Sequence, residues 1–179
     1  MNQTKERVVL IGEGATRDLE DALVRLAKIL DFEVVVMDHS PMIGAQPDQL
    51  FAAPDYDIAS FKFLESDSAI VLTHSERDAD VLQTLSGFKL RYVGLLGDRQ
   101  RIRDDTGALR ARGVDEKFVS SIKGPVGADI GARTMPEIAL SIMAEVVATK
   151  YGKPVIRKDL RPADDQLQVE NRLQPGSSD

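Results

Sequence analysis

Apolar positions along the chain change period several times, and each change marks an element. RVVLIG, Arg7 to Gly12, is a short continuous apolar run ending in glycine, the pattern of a strand buried on both faces. From Asp18 to Leu30 the period lengthens: Leu19, Leu23, Leu26 and Leu30, with Ala22 and Ala27, recur at helical spacing and predict an amphipathic helix. EVVVMD, Glu33 to Asp38, returns to β-branched residues and a strand. Together they form a βαβ unit, whose strands are parallel and whose crossover is right-handed.

The alternation then repeats. The pattern predicts a weak strand over Tyr56–Ser60, a strong one at AIVLTH, Ala69 to His74, and a helix over Glu76–Leu85. A strand at RYVGLLG, a helix over Arg99–Arg112, a short strand over Val119–Ile122 and a last helix over Met135–Lys150 follow. Between Met37 and Asp55 the chain is rich in breakers and reads as a surface loop. The sum is an α/β domain over residues 1–150: a doubly wound, mainly parallel sheet of about six strands with helices on both faces. After Tyr151 the sequence turns polar, so residues 151–179 are expected to form a tail, partly disordered or packed against a partner.

Composition narrows the chemistry more than the fold. The net charge of −6 argues against nucleic acid and anionic membrane surfaces as partners. No apolar stretch reaches the length of a membrane span and no signal pattern opens the chain, so a cytoplasmic location is expected. The absence of cysteine excludes thiolate metal ligands, thiol nucleophiles and a persulfide relay through these residues. With His39 and His74 the only histidines, no dedicated metal site is expected.

Four turns could bind a ligand. In GEGATRD, Gly12 and Gly14 follow a strand and precede a helix, and Asp38 ends the next strand, the layout of a dinucleotide site. Arg17 stands where a third glycine is usual; it could grip phosphate as a fork, or the turn could be a tight connection with a surface arginine. In LTHSERD, His74 falls at the carboxyl edge of a central strand, where such sheets bind ligands, while Ser75 with Asp78 reads as a shortened capping box. In GLLGDRQRIRDD, Gly97 turns the chain, Asp98 is the expected helix cap and Arg99 sits in the first turn, suited either to an anion or to a solvated face. The fourth turn is GPVGADIGART. Thr134, Pro136 and Glu137 are accounted for by a capped helix start, but Gly124, Pro125, Gly127, Asp129, Gly131 and Arg133 are not. They form either a ligand loop or an irregular loop held by an Asp129–Arg133 ion pair.

AIVLTHSERDADVL, YVGLLGDRQR and above all IKGPVGADIGARTMPEIALSIMAEVV closely resemble the carboxyl-terminal Rossmann domain of the XdhC/CoxI family, accessory proteins for molybdenum hydroxylases such as xanthine and carbon monoxide dehydrogenases. The similarity runs from about Val8 to Val147. It implies a maturation factor, a cofactor chaperone more than an enzyme, which binds the molybdenum cofactor (molybdopterin or its dinucleotide), protects it during sulfuration and delivers it to the apoenzyme. The apoenzyme and a cysteine desulfurase are the partners it implies. Three departures stand out: GEGATR lacks the histidine and last glycine of the family's usual first turn, Asp98 replaces a serine, and a stand-alone Rossmann domain is expected in place of the two-domain layout of longer members. A second protein could supply the separate amino-terminal domain of those members, and a homodimer is open. The alternative function is that of an NAD(P)-dependent oxidoreductase or another nucleotide-binding protein, with His74 as acid or base.

Overall fold

Val8 to Ile11 and Val34 to Met37 have no exposed surface, which is why their sequences run continuously apolar rather than alternating. The computed structural model describes residues 5–12, 14, 16–38, 44–53 and 57–156. Within them lie β1 (Arg7–Gly12), β2 (Glu33–Asp38), β3 (Gln49–Ala52), β4 (Ser68–Val71) and β5 (Tyr92–Leu95). These five form one sheet in the order β3-β2-β1-β4-β5, with every neighbouring pair parallel.

Alternate strand residues feed two cores. Val8, Leu10, Val34, Val36 and Ile70 pack under α1 (Arg17–Ile29) and α5 (Met135–Lys150). Val9, Ile11, Val35, Ala69 and Val71 face α2 (Asp78–Leu85), α3 (Arg99–Ala111) and α4 (Glu116–Ser121). The chain moves outward from β1 to β3, then returns to place β4 on the other side of β1. That reversal makes a crevice at the carboxyl ends of β1 and β4, the position where open α/β sheets take ligands.

Three sequence expectations are corrected. Residues 57–60 form no strand; Ile58 is a fully buried core residue, and this burial in irregular chain produced the apolar signal. The strand lies earlier, at Gln49–Ala52, inside the stretch read as loop. It is an edge strand held by pairing with β2, and its largely exposed side chains carry little apolar pattern. Val119–Ile122 is not a strand either, because Asp115 caps a helix over Glu116–Ser121 by accepting a hydrogen bond from the Lys117 N–H at 3.2 Å. The sheet therefore has five strands instead of about six, and a sixth position beside β5 is touched by a bridge between Gly94 and Lys123. His39, Tyr56 and the tail beyond Ile156 lie outside the described residues.

The last helix starts as its sequence predicts. The Thr134 hydroxyl accepts from the Glu137 N–H at 3.4 Å, while the Glu137 carboxylate accepts from the Thr134 N–H at 3.0 Å, a complete capping box. Thr134→Ala is expected to lower the unfolding free energy by about 1 kcal/mol in urea titration. An unchanged midpoint would show that tertiary packing alone sets this helix start.

Candidate functional site

The expected site residues divide by where the sheet places them. Gly12 and Asp38 are register partners at the carboxyl ends of β1 and β2. The Leu72 N–H donates to Ile11 and the Leu96 N–H to Val71, so the turns holding His74, Ser75, Gly97, Asp98 and Arg99 leave from the same edge. Gly14, at φ +73°, turns the chain into α1, and Arg17 opens that helix with its guanidinium beside Gly14. Asp98 caps α3, accepting from the Arg101 N–H at 2.8 Å, and Arg99 is its first residue.

Beneath the first turn lies a residue that sequence reading missed. The Glu20 carboxyl packs directly against Gly12, so a Cβ there would overlap it. This close approach explains the first glycine of the G-x-G string without a ligand. Glu20 is 1% exposed, and among the described residues neither carboxyl oxygen has a hydrogen-bond partner. Burial, and then the nearby Asp38, push its pKa up to about 7, against the pull of Arg17. The signal was present: Glu20 shares a helical stripe with Leu23, Val24 and Ala27, all buried.

A second buried network organises the β4 and β5 turns. Asp78, fully buried, accepts from the Thr73 hydroxyl and from Arg101 Nε at 2.8 Å. Half of the expected Ser75–Asp78 box forms, the Ser75 N–H donating to the same carboxylate at 3.3 Å, while the Ser75 hydroxyl accepts from the Arg77 N–H at 3.3 Å and α2 itself begins with no side-chain cap. Arg101 also lies 3.9 Å from Asp105, whose pKa burial and Asp78 raise to about 6 against Arg101 and His74. His74 itself is exposed and held at φ +49°, in the left-handed region.

The glycine-rich signature separates into two halves. Gly124, Pro125 and Gly127 are buried, and the Gly124–Pro125 peptide is cis. A Cβ on Gly124 would come within 2.7 Å of Ile102, and one on Gly127 within 2.5 Å of Ser141 Oγ. The Val126 N–H donates to Leu95, and the Gly127 N–H to the buried Glu145 carboxylate at 2.9 Å, which also accepts from the Tyr92 hydroxyl at 2.7 Å. Close packing on α3 and α5 thus accounts for the two glycines. Asp129, Gly131 and Arg133 form the exposed half. Among the described residues no ion pair joins Asp129 to Arg133; their N–H groups donate instead to Ile156 and Glu137.

Charge along the edge is uneven. Glu20 and Asp38 place acids beneath the β1–β2 end, opposed by Arg17, whereas the α3 end carries Arg99 beside a capped helix start. Among the described residues no cluster of three or more potential ligands could hold a metal ion, and no helix is long and apolar enough to cross a membrane.

A doubly wound parallel sheet with glycine turns at its carboxyl edge defines a Rossmann-type domain. The chain belongs to the XdhC Rossmann domain family, whose pattern matches residues 8–146. It is 32% identical over 161 residues to a probable xanthine dehydrogenase subunit of Bacillus subtilis strain 168, covering 86% of this chain and 46% of that protein. It is 28% identical over 173 residues to the uncharacterized protein YqeB of Escherichia coli K12, covering 92% of this chain and 31% of that one. A crystal structure described as a xanthine dehydrogenase from Bacillus halodurans superposes with a TM-score of 0.69 at 26% identity, covering 91% of this chain and 46% of that one. The chain thus spans less than half the length of each of these relatives.

Proposed function

We propose that this domain serves as part of an accessory factor for a molybdenum hydroxylase of the xanthine dehydrogenase class, binding the molybdenum cofactor as cargo and passing it to the apoenzyme. Family membership over residues 8–146 carries this reading, and the name of the Bacillus subtilis relative supports its link to xanthine dehydrogenase. The edge chemistry fits an anionic cargo at the Gly97–Arg99 end, where a helix start and a guanidinium meet. At the Gly12–Gly14 turn it fits an anion only while Glu20 carries a proton, since an ionised Glu20 beside Asp38 would repel phosphate. The apoenzyme is the proposed partner, with a cysteine desulfurase supplying sulfur from outside this cysteine-free chain.

A nicotinamide dinucleotide is the second reading, favoured by the register of Gly12 with Asp38, which sets an acid beside the first turn where a ribose would lie. Anaerobic equilibrium binding of freshly released molybdenum cofactor, run beside NAD, NADP, ATP and CTP, separates the two. Selective retention of the pterin is expected. Binding of a nicotinamide cofactor with no retention of the pterin would overturn the accessory reading.

A further inference from the structure

The amino-terminal edge of the sheet carries a cleft of about 410 Å³, on the side away from the turns described above. It opens where the chain enters β5: Phe88 to Arg91 form one wall, the Lys117–Ser121 face of α4 forms a second, and Thr149 near the end of α5 lines it as well. Arg91 marks the edge, since its N–H donates to the Asp67 carbonyl just ahead of β4 and its guanidinium pairs with Glu6 just ahead of β1. The cleft and the turns at Gly12–Gly14 and Gly97–Arg99 therefore lie at opposite ends of the strands.

Three kinds of group meet in this cleft. Lys89, Arg91, Lys117 and Lys123 bring positive charge, and among the described residues no carboxylate lines it, a local excess in a chain of net charge −6. Lys89 and Arg91 are held by Glu65 and Glu6, whereas the ammonium groups of Lys117 and Lys123 make no ion pair or hydrogen bond among the described residues. Phe88 and Phe118 are half-buried: Phe88 packs on Phe63 with 4.7 Å between ring centroids, Phe118 packs against the second core, and both keep surface in the cleft. The Ser121 hydroxyl donates to the Phe118 carbonyl at 2.7 Å and the Thr149 hydroxyl to the Glu145 carbonyl at 2.9 Å, so toward the cleft both offer only oxygen lone pairs.

We propose that this cleft binds a free nucleoside monophosphate, with Lys117 and Lys123 on the phosphate, the base against Phe88 and Phe118, and the ribose hydroxyls donating to Ser121 and Thr149. A phosphomonoester is close to a dianion at neutral pH and matches two uncommitted ammonium groups, which bind it as point charges. Bases stack on aromatic side chains through their faces, so the two phenylalanines supply affinity without reading the base. The volume lies near the lower end for ligand clefts and takes one nucleotide rather than two. The inference does not rest on the cargo reading, because it uses no residue of the carboxyl edge.

The test is a ¹H–¹⁵N NMR titration of the full chain with AMP, and separately with adenosine and with inorganic phosphate. Saturable shifts at the amides of Lys89, Phe118 and Lys123 are expected, with AMP binding about tenfold more tightly than either fragment. Lys123→Gln should weaken AMP binding about tenfold, and Phe118→Leu about threefold, since leucine keeps an apolar wall and loses the stacking face. Lys28→Gln removes an equal charge from α1, where Lys28 is paired with Asp48 off the cleft, and should weaken binding less than about twofold. Equal losses in Lys123→Gln and Lys28→Gln would reduce the effect to net charge and overturn the site. So would inorganic phosphate binding as tightly as AMP, no saturable shift at the three amides, or shifts confined to the turns at Gly12–Gly14 and Gly97–Arg99.

Discussion

Replacing Glu145 with alanine is expected to lower the free energy of unfolding by about 3–5 kcal/mol, enough to threaten the fold of a domain this size. Glu145 is 1% exposed on α5, and its carboxylate accepts from the Tyr92 hydroxyl at the start of β5 and from the Gly127 N–H in the signature loop. Truncation leaves two buried donors without that acceptor and opens a cavity between helix and sheet. Glu145→Gln retains the volume and one acceptor oxygen and should cost less, about 1–2 kcal/mol. Urea unfolding of both variants checks this. If alanine and glutamine cost the same small amount, the carboxylate does not moor the loop, and the burial of Gly124 to Gly127 rests on shape alone.

Glu20→Gln is expected to stabilise the protein above neutral pH by up to about 3 kcal/mol and to change it little near pH 4. The carboxyl is buried with no hydrogen-bond partner among the described residues, and its pKa in the fold is about 7 against an ordinary value of 4.5. Between those two values the folded protein holds a proton that the unfolded chain has already released, so stability falls as pH rises through that window and levels off above it. Glutamine removes the cost of burying the charge and flattens this part of the profile. Denaturant midpoints for both proteins from pH 4 to 8 decide it. A constant difference across the range would mean that Glu20 does not titrate there. The same proton bears on the proposed function, since cargo anions would approach the first turn more readily at the acid end of this range.

The positions of the main elements were legible because each rests on local pattern. Leu19, Leu23 and Ala27 announce α1, Thr134 and Glu137 announce the start of α5, and the runs at Arg7–Gly12 and Glu33–Asp38 announce β1 and β2. The failures share one cause. Gln49–Ala52 is a strand only because β2 offers it a free edge, and Val119 is apolar because α4 packs it onto the second core, so neither has a period of its own. The resemblance to the XdhC/CoxI family was also legible, carried by the run from Ile122 to Val147.

The candidate site divides along the same line. Its turns follow from glycine and cap residues within a few positions of one another, and sequence alone sufficed to mark Gly12 to Arg17, His74, Gly97 to Arg99 and Gly124 to Arg133. What each residue faces was decided only when the chain closed. Gly12 makes room for Glu20, Gly124 for Ile102 and Gly127 for Ser141, contacts across 8, 22 and 14 positions of sequence that periodicity does not encode. Local pattern determined a parallel α/β sheet with helix starts and turns set among its strands. The tertiary structure decided which turns share an edge, which acids are buried beneath it and which arginines of α3 are tied to carboxylates, because those depend on packing between segments remote in sequence.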